Sequence, residues 1–447
     1  MDYKLRIIIE KVDCKTNAVV EKKAIAEYKI NSPKKIIDLG MRHKEQISLL
    51  KNIQQYMLNE QSILISTDIN PCPSCGGKLK RIGYKGSNFH AVFSDHKLKI
   101  QRYICSTCNK RHIPSVKSMF GTSIHPDLYK LQCELGSTFS FFKSESQLTE
   151  LCQEKRSINN HERIKQTVNS VGKELCEANI TVPSQVSSKP AKELIVQIDG
   201  GHIKDKNPSK RSFEALTAKI YNPEAVINIG KDRTKIIDKT CIASAKNDKN
   251  KTMKLLVTMA TKKQGLTSDT KVTVIADGAK NCWDATEILS KECGEVEYIL
   301  DWFHITKKFQ PLLNHLTGEE KAKVESIKWN LWHGKHDKAL EKLSEALKYF
   351  SDKNVTSKLK HIQTYLISNI DKLVHYEQRQ KKSLVFTSSV AESTVEHIIN
   401  DRYKKNHKMQ WTRESAHNIL QIRTSVASKE WNNVWENAVT GAIKQVA

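Results

Sequence analysis

Polar and apolar positions alternate with a period of two near the start of the chain. Leu5, Ile7 and Ile9 begin one such run and Val20 to Ile30 form a second, so residues 3–30 read as two half-buried strands. Ser32-Pro33 is a helix-start signal, and beyond it the spacing lengthens. Ile36, Leu39, Ile47, Leu50, Ile53 and Met57 recur at helical intervals and predict a helix over 36–57. Two strand-like runs follow, Phe89 to Ser94 and Leu98 to Ile104. Residues 126–180 read as two or three short helices, broken near Gly136 and at Ser157-Ile158-Asn159-Asn160.

A polar linker over 182–190 separates this half from a different pattern. Leu194 to Ile198, Ala215 to Ile220, Val226 to Ile229, Val272 to Ala276 and Val296 to Leu300 are short apolar runs of strand length. Residues 250–262 and 280–292 have helical spacing between them. Strands alternating with helices predict an α/β core with a mixed or parallel sheet. Residues 303–380 read as almost wholly helical, and a last helical stretch runs from about Ser388 to Arg423.

Composition narrows the class of partner. Lys and Arg number 73 against 49 Asp and Glu, a net charge of +24 on 447 residues. That excess creates a positive potential that attracts polyanions, nucleic acid foremost. The basic residues are spread along the chain, which disfavours an amphipathic membrane anchor. No apolar run approaches the roughly 18–20 residues of a membrane span. Met1-Asp2-Tyr3-Lys4 opens no secretory pattern, so a soluble, cytoplasmic protein is the simplest expectation.

Of the eleven cysteines, Cys14, Cys133, Cys152, Cys176, Cys241, Cys282 and Cys293 are single and read as reduced, mostly buried thiols. The other four form two C-x-x-C knuckles, Cys72-Pro-Ser-Cys75 and Cys105-Ser-Thr-Cys108. Each knuckle lets two thiolates converge on one tetrahedral ion, and Gly76-Gly77 permits the turn after the first pair. With strand-like runs between them, the pairs predict a zinc ribbon holding structural Zn²⁺ in a closed Cys₄ site. His90, His96 and His112 lie nearby and read as surface or phosphate-facing residues.

Asp199 ends the apolar run Val196-Gln197-Ile198, and Asp277 ends Val274-Ile275-Ala276. The carboxyl ends of strands in an open α/β sheet are where sites assemble. Two carboxylates there either share hard divalent metals or cap the following loops. Asp301-Trp302-Phe303-His304, after the run ending at Leu300, places an acid and an imidazole at helix spacing, as cap and packed ring or as part of a site. In Glu392-Ser393-Thr394-Val395-Glu396 either glutamate could supply a third carboxylate, and local sequence leaves both open.

These residues carry a resemblance. Asp199-Gly200-Gly201-His202-Ile203, Ala276-Asp277-Gly278-Ala279, Asp301-Trp302-Phe303-His304, and Glu392 followed by Arg402, Trp411 and Arg413 are similar to the motifs of DDE transposases of bacterial insertion sequences, the ISKra type in particular. The resemblance spans about 60–447, with its specific motifs in 195–425. Gly-Ser-Gly, frequent before the glutamate in related transposases, is replaced here by Ser388-Ser389-Val390.

The resemblance implies an α/β fold with an RNase-H-like mixed-sheet catalytic core carrying Asp199, Asp277 and Glu392 and an all-helical insertion before the glutamate. It selects Glu392 over Glu396, because Glu392 stands ten positions before Arg402. The implied chemistry is strand nicking and strand transfer at insertion-sequence ends, with two Mg²⁺ ions about 3.5–4 Å apart. His202, Asp301 and His304 would support the site. The chain then divides into a strand pair and helix (1–60), the zinc ribbon (61–120), a helix-turn-helix-like DNA-binding region (121–181), the first part of the core (191–302), the helical insertion (303–385) and the C-terminal core helices (386–447). Partners are double-stranded DNA, as terminal inverted repeats and target, and further copies of the chain in a homodimer or higher oligomer. Lys155, Arg156, Arg163 and Lys165, and Arg402, Lys404, Lys405 and Arg413, either meet DNA phosphates or form solvated basic faces. Trp329 and Trp332 either stack on an extruded base or pack. Two other readings have the same parts: a zinc-containing DNA-binding protein with a degenerate core, and a structure-specific nuclease of the same fold.

Overall fold

The computed structural model describes residues 3–65, 71–181, 189–230, 233–388, 394–404 and 409–436. The linker expected at 182–190 falls mostly outside them. The chain forms two units, Met1–Thr167 with Trp435–Ala447, and Val168–Val434.

In the first unit, strands β1 (Tyr3–Val12) and β2 (Val19–Ile30) pair antiparallel, with Glu10 and Glu27 bridged across the pair by Lys22, Lys4 and Arg6. The predicted helix starts later than its periodicity suggests. Ile36–Asp38 is one short 3₁₀ turn, and α1 runs from His43 to Ile65. Gly40, at φ +74°, separates the two. A long hairpin follows, β3 (Leu79–His90) with β4 (Asp95–Cys105), edged by the two-residue β5 (Arg111–His112). The run Phe89 to Ser94, expected as a strand, is the end of β3 and the turn. Leu98 and Ile100 of β4 pack on Leu58 of α1 and on Val116, at the start of the short helix α2 (Val116–Phe120). Three helices complete the unit: α3 (Pro126–Thr138), α4 (Phe141–Cys152) and α5 (His161–Thr181), within which the division between units falls. The break between α3 and α4 lies at Phe139-Ser140 rather than Gly136. There Ser140 Oγ accepts from the Lys143 N–H at 3.2 Å and caps the new helix.

The second unit is built on a five-stranded mixed sheet. Its strands are β6 (Glu193–Lys204), β7 (Ser212–Tyr221), β10 (Thr240–Ser244), β11 (Lys271–Ala276) and β12 (Glu295–Leu300), in the order β10-β7-β6-β11-β12. β6, β11 and β12 are mutually parallel, and β7 is antiparallel to both its neighbours. The run Val226 to Ile229 does form a strand, β8 (Val226–Gly230), but it pairs with β9 (Arg233–Ile236) outside this sheet. Both sheet faces are covered, which is why the strands read as unbroken apolar runs rather than alternations. Leu194, Val196 and Ile198 enter one core with Met253, Leu256 and Val257 of α6 (Lys251–Lys263) and Cys282 of α7 (Lys280–Thr286). Ile195, Ile275 and Ile299 enter the other, with the helices α8 (Trp302–Leu313), α9 (Gly318–Trp332), α10 (His336–Tyr349), α11 (Lys353–Ile367) and α12 (Tyr376–Lys381).

The last helical stretch is not continuous. Val395–Asn400 is a π-helical turn running into α13 (Asp401–Tyr403), Trp411 bridges to Asp205 in extended form, and only then does α14 (Arg413–Ala427) begin. Gln421 of α14 donates to the Ala243 carbonyl at 2.9 Å, holding that helix to the edge strand β10. A short α15 (Trp431–Val434) follows. Among the described residues no helix is long and apolar enough to cross a membrane.

Candidate metal centre and acidic site

The four knuckle cysteines meet at the open end of the β3–β4 hairpin. Their sulfurs all lie within 4.8 Å of one another, with Cys72 Sγ 3.7 Å from Cys108 Sγ and Cys75 Sγ 3.5 Å from Cys105 Sγ. The first knuckle is shaped by its backbone, the N–H of Cys72 and the carbonyl of Gly77 closing at 2.8 Å. The N–H groups of Cys108 and Thr107 point at Cys105 Sγ (3.4 and 3.3 Å) and draw that thiol down to about 6 against its burial. Four converging soft donors suit Zn²⁺ in a closed, structural site.

The three nearby histidines are not surface residues. His112 Nε2 stands 3.2 Å from Cys72 Sγ, His90 pairs with Asp95 at 2.8 Å, and His96 is buried between Ser94 and Gln55. Of the single cysteines, Cys133, Cys152, Cys176, Cys241 and Cys282 are buried and Cys14 is exposed.

In the second unit, sheet register gathers three aspartates. β11 pairs with β6 through Ala276 and Ile198, and with β12 through Ala276 and Leu300. The residues next in line are Asp277, Asp199 and Asp301, so one row of carboxylates crosses three parallel strands about 4.8 Å apart. Asp199 does not end its strand. β6 runs on to Lys204 as partner of β7, and only its parallel ladder stops at Ile198.

The three aspartates have different fates. Both oxygens of Asp301 are saturated: Oδ1 accepts from the N–H groups of Phe303 (2.9 Å) and Ser388 (3.1 Å), and Oδ2 from Ser388 Oγ (2.5 Å) and His304 Nδ1 (3.0 Å). Asp301 is thus both the cap of α8 and the anchor of His304, which leaves no lone pair for a metal. Burial alone would raise its carboxyl, but the His304 and Ser388 hydrogen bonds hold it below the usual range. Burial would lower His304, and the bond and charge of Asp301 outweigh it, so the imidazole is raised. His304 Nε2 then stands 4.0 Å from Asp199 Oδ2. Burial raises the Asp199 carboxyl, against the opposing pull of His304. Asp277 is half-buried. Its Oδ1 accepts from the Ala279 N–H at 2.9 Å, and its carbonyl accepts from Tyr365 Oη at 2.8 Å.

The glycines after the acids serve packing. Gly278 has φ +91°, and a Cβ there would lie 2.7 Å from the Tyr365 ring. A Cβ on Gly201 would meet Ile399 at 2.7 Å, so this glycine admits the π-helical turn against β6.

Asp199, Asp301 and His304 line a small cavity of about 30 Å³ with Gln197, Lys219, Ser388 and Thr394. Gln197 Oε1 is buried with no donor among the described residues, and Lys219 is only 2% exposed. Sequence reasoning passed over both, although a Lys inside the apolar run Ala218-Lys219-Ile220 was a signal. An oxygen without a donor beside carboxylates has the donor chemistry of a hard-cation site. Convergence is incomplete, however. Among the described residues, only the four cysteines bring three or more His, Cys, Asp or Glu ligand atoms that close together.

Glu392 and Lys405 lie outside the described residues. Ser388 and Thr394, on either side of the interval holding Glu392, both line the cavity with Asp199. Glu396 accepts from Asn400 Nδ2 at 2.6 Å within the π-helical turn.

Several expected DNA contacts are corrected. Arg402 is fully buried, its guanidinium 4.7 Å over the Trp411 ring and 3.6 Å from Met409 Sδ. Arg156 is 3% exposed; it binds Asp95 and the carbonyls of Ala91, Val92 and Ser94, clamping the hairpin turn. Arg413 lies over the Phe213 ring and donates to the carbonyls of Ala245 (3.0 Å) and Glu214 (3.4 Å). A cation committed to backbone carbonyls or a ring has few donors left for phosphate. His202, three positions along β6 from Asp199, faces the opposite side of the sheet and is exposed. Lys155, Arg163 and Lys404 are exposed, Lys155 near Glu145 (3.4 Å), and Lys165 pairs with Glu162 at 3.3 Å. Trp332 packs among Trp302, Tyr376 and Phe386, so packing accounts for it. Trp329 is 47% exposed, with Lys328 over its ring.

No protein-family model matches the chain, and no curated protein matches it significantly.

Proposed function

We propose that the protein is a DNA transposase of the ISKra type, nicking DNA at insertion-sequence ends and transferring the freed strands to a target. The observation that carries this reading is the row Asp199, Asp277 and Asp301 at matched positions of three parallel strands. Two further features support it. A mixed sheet with a helical block before the segment holding Glu392 suits an RNase-H-like core, and a charge of +24 suits a DNA substrate.

In this reading Asp199, Asp277 and Glu392 hold Mg²⁺, which when bound supplies Lewis-acid stabilisation of phosphoryl oxygens. The remaining work belongs to the chain. Asp301 fixes the His304 ring and its proton at Nδ1. His304 in turn balances the charge of Asp199, whose ionisation in a partly dry site would otherwise be costly. Zinc in the cysteine centre holds the hairpin and takes no part in the chemistry.

The test is cleavage of labelled duplexes carrying the element's ends, with and without Mg²⁺. Metal-dependent nicking that Asp199→Asn and Asp277→Asn both abolish is the expected result; nicking that survives in both overturns the assignment. A second reading, a zinc-containing DNA-binding protein without cleavage activity, is favoured by the incomplete convergence of ligands, and DNA binding with no nicking would select it. Nicking without joining would select a structure-specific nuclease instead.

A further inference from the structure

We propose that the cavity between the β10–α6 loop and the start of α7 seats a backbone phosphate of nucleic acid, apart from the carboxylates assigned to cleavage. The cavity measures about 520 Å³ and is floored by Glu214 and Leu216 of β7. Lys246 and Lys249 reach it from the loop, Lys280 from the first turn of α7, and Arg413 from α14.

Three lysines face two carboxylates, Glu214 and Asp284, with Glu214 engaged by the Asn281 amide and Arg413 already committed to the carbonyls of Glu214 and Ala245. Lys262, Lys263 and Lys271 of the same unit are by contrast paired, with Glu292, Glu430 and Glu295. Lys246, Lys249 and Lys280 are exposed and have no ion pair among the described residues. Crowded like charges repel, and a bound anion relieves that repulsion. The lining also holds the amides of Asn247 and Asn250, neutral donors suited to phosphate oxygens.

The chemistry of the lining selects the kind of anion. Its apolar members are Leu216 and Met253, and among the described residues no aromatic ring lines it to stack a base. Such a cavity reads backbone and not sequence. The cavity opens on the α6–α7 face of the sheet: Glu214 pairs across the sheet with His202, on the side opposite Asp199, and Lys280 follows Asp277 by three residues. A phosphate held here is not the scissile one, because the floor of the cavity and Asp199 lie on opposite faces of the sheet.

The inference rests on the nucleic-acid part of the proposed function and not on cleavage, so the test omits Mg²⁺. Binding of a fluorescein-labelled random duplex is followed by anisotropy in buffer with no Mg²⁺ and no chelator, the zinc left in place, over a range of salt. The variants are Lys246→Gln/Lys249→Gln/Lys280→Gln and a control, Lys338→Gln/Lys348→Gln/Lys360→Gln, at exposed positions of α10 and α11. The first should weaken binding by about tenfold or more and reduce the log–log salt slope by about two to three, with the control close to wild type. Equal loss in both variants, or no loss in the first, overturns the proposal. A parallel titration uses inorganic phosphate alone. Phosphate binding lost in the first variant while duplex affinity stays unchanged would assign the cavity to a small free anion and overturn the nucleic-acid seat. A wild-type protein that binds no duplex would instead sink the proposed function itself.

Discussion

Cys72 and Cys75 precede one strand of a hairpin, and Cys105 and Cys108 close the other, so chain connectivity alone brings the four sulfurs within 4.8 Å. Asp199, Asp277 and Asp301 belong to three strands whose order in the sheet decides whether they meet at all. The cysteine centre is local and closed, with donors of one kind. The acidic row is non-local and unequal. One member is saturated by its neighbours, one accepts from the Ala279 N–H, and one is raised by burial. A closed set of like donors builds structure; an open, unequally tuned set can do chemistry. The comparison can be broken at several points.

The largest effect should come from the cysteines. Zinc bound by four thiolates is worth about 10–16 kcal/mol of coupled binding and folding in small zinc modules. Cys105→Ser, or a strong chelator, should therefore unfold the hairpin of the first unit while the sheet of the second persists. Metal analysis and limited proteolysis would show this, with about one zinc per chain before treatment. A hairpin that resists the chelator would mean that the centre is not structural.

Next in size is the loss of nicking. Asp199→Asn and Asp277→Asn should each lower Mg²⁺-dependent cleavage by about a thousandfold or more if each removes a metal ligand. Their stability effects should differ. The Asp199 carboxyl is raised in the folded state, so its ionisation opposes folding, and wild-type stability falls as pH rises through the carboxylate range. At neutral pH Asp199→Asn should thus melt no lower than wild type. A marked drop would show that the carboxylate is a structural partner. Side by side, Glu392→Gln should abolish nicking and Glu396→Gln should retain it.

Arg402→Ala tests the corrected role of a buried arginine. Loss of the Trp411 stack and of a buried cation should cost about 2–4 kcal/mol in denaturant unfolding. Duplex affinity measured on the folded fraction should hardly move. The reverse pattern would restore Arg402 to the DNA interface.

The smallest effect is on proton affinity. His304 should titrate above an ordinary histidine by NMR, and Asp301→Asn should bring it down by about a unit. The sign follows from the raised value: the stabilisation from protonated His304 is complete below the unfolded pKa and disappears as pH rises through the folded one. Asp301 is lowered, so its contribution is present above the unfolded carboxylate pKa and disappears as pH falls through the folded one. An imidazole indifferent to Asp301→Asn would mean that the hydrogen bond to Nδ1 does not tune it.

Much of this was legible in the residues themselves. Two C-x-x-C knuckles located the cysteine centre, because ligands within a turn of each other converge whatever the rest of the chain does. Continuous apolar runs marked β6, β11 and β12 as strands buried on both faces, and the period of 3.6 marked the helical block from 303 onward. β10, Thr240–Ser244, was missed because five small and mixed residues carry little periodic signal, although all five are buried. The length of β6 beyond Asp199 was missed because Gly200-Gly201-His202 reads as a turn, yet pairing with β7 continues through it.

Charge was legible as a total but not as an address. The sequence puts Arg156, Arg402 and Arg413 in basic surroundings, and the fold turns each onto a carboxylate, a ring or backbone carbonyls. Local pattern states what a residue is and which neighbours share its helix or strand. Strand order, saturation of a carboxylate and burial of a guanidinium depend on contacts between distant segments, and those arise only when the chain closes on itself. For this protein the sequence alone determined the donors, the buried parallel strands and the excess of cations. The tertiary structure decided that Asp301 is an anchor, that His304 stands beside Asp199, and that around one cavity three lysines have no ion pair among the described residues.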